Sequence, residues 1–154
     1  MGHGASSPGT FEPQWFALVF AGIWLAVSAI LSRVSGWSRL AEQFRSDLPA
    51  SGDSFRFVSG TMGSKRFPAN FNSCLSVSLS PAGVRVSIQL PFRFMNPPLF
   101  IPWTAVESVE QSRRFLRLGT ALRLRDQWPV ITLYGRAGQA LAEACPAKSA
   151  PVTR

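Results

Sequence analysis

The run from Trp15 to Leu31 carries no charge, and only Gly22 and Ser28 fall outside the strongly apolar or alanine set. At about 1.5 Å per residue such a helix is about 26 Å long, near the thickness of a bilayer's hydrocarbon core. A helix in a soluble core normally keeps a polar stripe, whereas this one is apolar all round. A cleaved signal peptide is the sharper rival, and it wants a positive n-region and a small-residue cleavage site. Residues 1–14 hold no Lys or Arg, and Ala26-Val27-Ser28 makes a poor cleavage site. The sequence therefore predicts a transmembrane helix over 15–34, preceded by a flexible lead over 1–14.

The flanks orient it. Arg33, Arg39 and Arg45 follow the run, and no Lys or Arg precedes it. The positive-inside rule then places the N-terminus outside and the remaining chain in the cytoplasm, as in a single-pass protein of the cell (inner) membrane. Trp15, Arg33, Trp37 and Arg39 are the expected membrane-interface anchors, aromatic rings and cations suiting the headgroup layer. Ala17/Ala21 and Gly22/Ala26 are small-xxx-small pairs that would let a second helix approach, a weak pointer to a dimer.

Beyond the span about 110 residues are left, enough for one domain with its own core. Gly36 to Leu48 reads as a juxtamembrane amphipathic helix over 36–48, with Trp37, Leu40, Ala41 and Phe44 on one side. This side is expected in the headgroup boundary, the competing reading being that it packs on the domain. Pro49 to Asp53 is a linker.

From Asp53 the period changes to two. Ser54 to Val58 is a first strand, Ser59 to Asn72 a loop with room for a short strand, and Cys74–Ser80 with Val84–Leu90 a hairpin turning at Pro81 to Gly83. Leu75, Val77, Leu79, Val84, Val86, Ile88 and Leu90 are its expected core residues. Leu99 to Trp103 and Ala105 to Gln111 follow, then a hairpin about Gly119-Thr120, then Val130–Tyr134. Gly135 to Ala144 is helical, and residues 146–154 are a disordered tail. The expected fold is one N-terminal transmembrane helix plus a mainly-β domain over 53–145, an antiparallel bent barrel or sandwich with a C-terminal helix.

At Leu99-Phe-Ile-Pro-Trp-Thr-Ala-Val106 the chain resembles bacterial pleckstrin-homology-like and GRAM-like domains, which implies a bent antiparallel barrel capped by one helix. Ser35-Gly-Trp37 and the run from Pro91 to Trp103 are also similar to a set of small bacterial single-pass membrane proteins. That likeness implies no activity and no site residues. Pleckstrin-like folds serve lipids in some families and peptides in others, so the fold alone does not give the function.

The chemistry is sparse. The sole histidine, His3, lies in the lead, so no base for a nucleophilic triad lies in the domain. Cys74 and Cys145 have no metal-type spacing. Glu107 and Glu110 read as surface acids, and Gly60-Thr-Met-Gly63 lacks the Lys-Ser/Thr of a phosphate loop. No catalytic residue, metal site or cofactor is expected.

Net charge is +8, from 16 basic and 8 acidic residues, and all the basic residues but Lys65 and Lys148 are arginine. Arg113, Arg114, Arg117, Arg123 and Arg125 form the densest cluster, expected to contact anionic lipid or a partner. The bland reading is a solvated sheet face. Nucleic acid is not expected, since no module for it is legible. The function expected is that of a membrane-anchored, non-enzymatic binding or adapter protein contacting an unknown partner protein or membrane lipids. The alternative is a structural or assembly subunit of a larger membrane complex, held through its helix.

Overall fold

The computed structural model describes residues 13–64, 68–90, 92–114, 117–126, 129–145 and 149–150. Helix α1 runs Pro13–Val34, with proline at its first position, where a missing N–H costs nothing. It is long and apolar enough to cross a membrane by length and composition, with a mean hydropathy of 2.1. Its large side chains from Trp15 to Leu31 are nearly all exposed, and within it only Ser28 and Ser32 are buried.

Among the described residues the rest is one curled sheet, two α-helices and two short 3-10 segments. Strands β1 (Asp53–Gly63), β2 (Pro68–Ser80), β3 (Gly83–Ile88) and β4 (Leu99–Pro102) form one run. Strands β5 (Val106–Arg114), β6 (Arg117–Leu124) and β7 (Val130–Tyr134) form the second. β7 pairs antiparallel with β1, which joins both runs into a half-barrel. Helix α3 (Arg136–Ala144) follows, burying Ala137, Leu141 and Ala142. Gly138 lets α3 lie on β7, since a Cβ there would come within 2.5 Å of the Leu133 carbonyl oxygen.

The β2–β3 hairpin forms as its alternation predicts, with Leu75, Val77, Leu79, Val84, Val86 and Ile88 all buried. Leu90 does not join them and is 80 % exposed, because β3 stops at Ile88 and the chain turns toward a short 3-10 segment, Phe92–Met95. The expected loop over 59–72 is largely strand: β1 continues to Gly63 and β2 begins at Pro68. Gly119-Thr120 is not a turn. β6 runs straight through it, and the β5–β6 hairpin closes on Arg114 opposite Arg117. Within the expected tail, Ser149–Ala150 (β8) pairs parallel with Val109 and Glu110 on the outer edge of β5. Residues 1–12, 146–148 and 151–154 lie outside the described residues, and with them most of the lead and tail.

Helix α2 corrects a larger expectation. It spans Trp37–Phe44, shorter than 36–48, because the chain leaves it to bridge Arg45 with Leu99 and to bond Ser46 N to the Pro98 oxygen at 3.0 Å. Its apolar side is not turned to a headgroup layer. Trp37 and Leu40 are 0 % exposed and Phe44 8 %, all within the core of the half-barrel. The Trp37 ring lies 5.9 Å from that of Phe71. Trp37 is thus a core residue, not a membrane-interface anchor.

Candidate functional site

Two recesses matter, at opposite ends of β6. The first is a groove of about 660 Å³ at the hairpin end, around the irregular part of β1. The β1–β2 register slips between Phe55 and Val58 and again before Gly60. At this bulge Phe57 takes φ 55°, a left-handed conformation that bulky residues avoid. The slip throws the Phe57 ring outward, 68 % exposed, whereas strand alternation would have paired it with Phe55 on one side. Leu118 is exposed beside it, and Arg56, Arg117, Tyr134 and Arg136 complete the groove. An exposed apolar pair ringed by three guanidinium groups suits an acidic segment carrying a hydrophobic residue.

The second is a cleft of about 710 Å³ against the last turn of α1. Arg33 comes from α1, Arg39 from α2 and Arg123 from β6, with Gly36, Gly63 and Pro129 between them and Glu107 on the rim. Arg123 Nε sits 3.1 Å from Glu110 Oε1. That Nε is shielded from solvent, and the approach does not align into a hydrogen bond.

The five arginines singled out in sequence are therefore not one patch. Arg113 and Arg114 lie across the hairpin from Leu118 and Arg117, next to the groove. Arg123 is six residues along β6 from Arg117, about 20 Å at about 3.3 Å per residue, and belongs to the cleft. Arg125 lies beyond the strand, its N–H donating to the Ala105 oxygen at 3.1 Å. Arg56, Phe57, Tyr134 and Arg136 were not foreseen. They are scattered in sequence, and none carried a local signal, since Phe55 and Phe57 read as ordinary strand alternation. Of the remaining anchors, Trp15 is exposed in the first turn of α1 and Arg33 is exposed in its last.

Trp103, at the rim of the sheet, is half-buried and donates Nε1–H to the Ser80 oxygen at 3.0 Å. It is a structural lip. Cys74 and Cys145 are both free thiols, and burial pushes the Cys74 thiol up from its ordinary value against a smaller opposing effect of its own backbone hydrogen bond. Among the described residues no three His, Cys, Asp or Glu side chains group so as to hold a metal.

No family model matches the chain, and no curated protein matches it.

Proposed function

We propose that this chain is a single-pass, membrane-anchored binding protein without enzymatic activity, whose β-domain receives a partner protein in the Phe57 groove. The observation that carries this reading is α1: 22 residues of apolar helix, exposed along nearly all their length, with the domain attached only at the C-terminal end. Lipid is the solvent that such a surface suits. The arginines after the helix favour a cytoplasmic domain and an outside N-terminus at the cell membrane. Four strands, then three, then a closing helix support a pleckstrin-like assignment for the domain.

Alkaline carbonate extraction followed by intact mass measurement tests the anchor. The full chain of 16.8 kDa should stay with the membrane pellet and leave it only with detergent. Release by carbonate, or a mass lacking the apolar run, overturns the reading. Cysteine labelling of intact cells at engineered sites near each terminus tests the orientation.

A second reading has one observation in its favour. Gly22 and Ala26 place two small residues one turn apart on the exposed surface of α1. A helix could pack there, as in an assembly subunit of a larger membrane complex. Native sizing after gentle extraction separates the two, since a lone adapter runs as a monomer or dimer.

A further inference from the structure

We infer that the cleft beside the last turn of α1 is a binding site for one phosphate-bearing anion, the phosphodiester of an anionic phospholipid. The inference rests on the reading of α1 as a span. A helix of 22 residues is about 33 Å long, slightly more than the about 30 Å of hydrocarbon it would cross. Its C-terminal turn, and with it Arg33, then comes out at the depth of the lipid phosphates.

Three elements bring guanidinium groups to that depth: Arg33 on α1, Arg39 on α2 and Arg123 on β6. Two carboxylates stand near them, Glu107 on the rim and Glu110 against Arg123. Among the described lining residues three guanidinium groups face one carboxylate, Glu107, an excess of positive charge that suits an anion. Arg123 lines the cleft with its side chain still 35 % exposed, so a guanidinium whose Nε is taken up against Glu110 still presents surface to a phosphate oxygen. The carboxyl end of α1 opposes an anion with about half a negative charge, and Arg33 in the same turn offsets it. The volume of about 710 Å³ lies in the about 300–1,000 Å³ range of ligand clefts.

The test uses the full chain in phosphatidylcholine vesicles containing a small fraction of phosphatidylglycerol. Flotation is scored first, then the lipid retained by the protein after mild extraction is measured by native mass spectrometry. Phosphatidylglycerol should be enriched over its bulk fraction. Arg33→Gln and Arg123→Gln should each lower that enrichment about fivefold, while Arg125→Gln, outside the cleft, leaves it unchanged. Arg123→Lys, which keeps the charge, should recover part of the loss, so a drop seen in all Arg123 variants with a lowered unfolding midpoint counts as misfolding and overturns the assignment of Arg123. Displacement of the lipid by millimolar inorganic phosphate supports the phosphate site but makes a soluble phosphate its source. A chain that floats with equal enrichment in wild type and variants overturns the site alone. A chain that does not float overturns the anchor reading and the lipid source together.

Discussion

The indole of Trp37 donates its Nε1–H to the carbonyl oxygen of Pro97 at 2.9 Å. Five residues earlier in the chain, Ser32 Oγ donates to the Met95 oxygen at 3.2 Å. Both ends of the α1–α2 joint are thereby fastened to the same short segment ahead of β4. Trp37→Phe should cost about 1–2 kcal/mol by leaving the Pro97 carbonyl without its donor. Trp37→Ala should cost about 3–5 kcal/mol by emptying a fully buried site. Urea unfolding of the detergent-solubilised chain, followed by circular dichroism, measures both. An unchanged midpoint for Trp37→Ala would show that α2 is not seated in the core.

The backbone at Phe57 is held in a left-handed conformation while its ring gains little burial. Phe57→Gly should therefore raise stability, by up to about 1 kcal/mol. Phe57→Ala keeps the strain and should stay within about 0.5 kcal/mol of wild type. On the proposed binding reading both variants should lose contact with a partner, read as loss of adducts from a photo-crosslinking residue placed at Leu118. Unchanged adducts in a stable Phe57→Gly protein would remove the groove from the account.

Gly36 sits between the two helices at φ 75°, and a Cβ there would lie 2.5 Å from Pro129 Cγ. Gly36→Ala should destabilise by about 1–3 kcal/mol through strain and the collision together. Thermal unfolding measures it, and a neutral result would mean that the joint is looser than the packing implies.

Burial raises the Cys74 thiol pKa, so the fold favours the neutral form. The stabilisation linked to this is present at neutral pH, below the ordinary thiol value, and is lost as pH rises through the raised value. Urea midpoints should fall on the alkaline side, and Cys74→Ser should remove part of that fall. Iodoacetamide at pH 8 should modify Cys74 more slowly in the folded chain than in urea, since the thiolate is the reacting form. Equal rates would contradict the burial.

The parts legible in the sequence were those in which local pattern and final environment agree. Trp15 to Leu31 is apolar throughout, and α1 leaves it uncovered. The alternation in Cys74–Ser80 and Val84–Leu90 sets a hairpin whose turn is local. Where pairing is non-local, the pattern failed. Gly60 to Gly63 is too small and polar to read as strand, yet it pairs with Val130 to Leu133, about seventy positions away. The side of α2 carrying Trp37, Leu40 and Phe44 shows why periodicity alone could not place it. Periodicity reports that a face avoids water, not whether lipid or a sheet covers it. The arginines failed as a cluster for a geometric reason. Neighbours on an extended strand travel apart, and Arg123 ends nearer to Arg33 than the sequence suggests.

Between α1 and α2 stand only Ser35 and Gly36. With Ser32 gripping one side of that joint and Trp37 the other, the domain does not dangle on a leash. It is bolted to its shaft. On the proposed membrane reading, a roll or lean of α1 swings the Phe57 groove with it, so bilayer thinning that tilts the shaft would re-aim the groove and any partner seated in it.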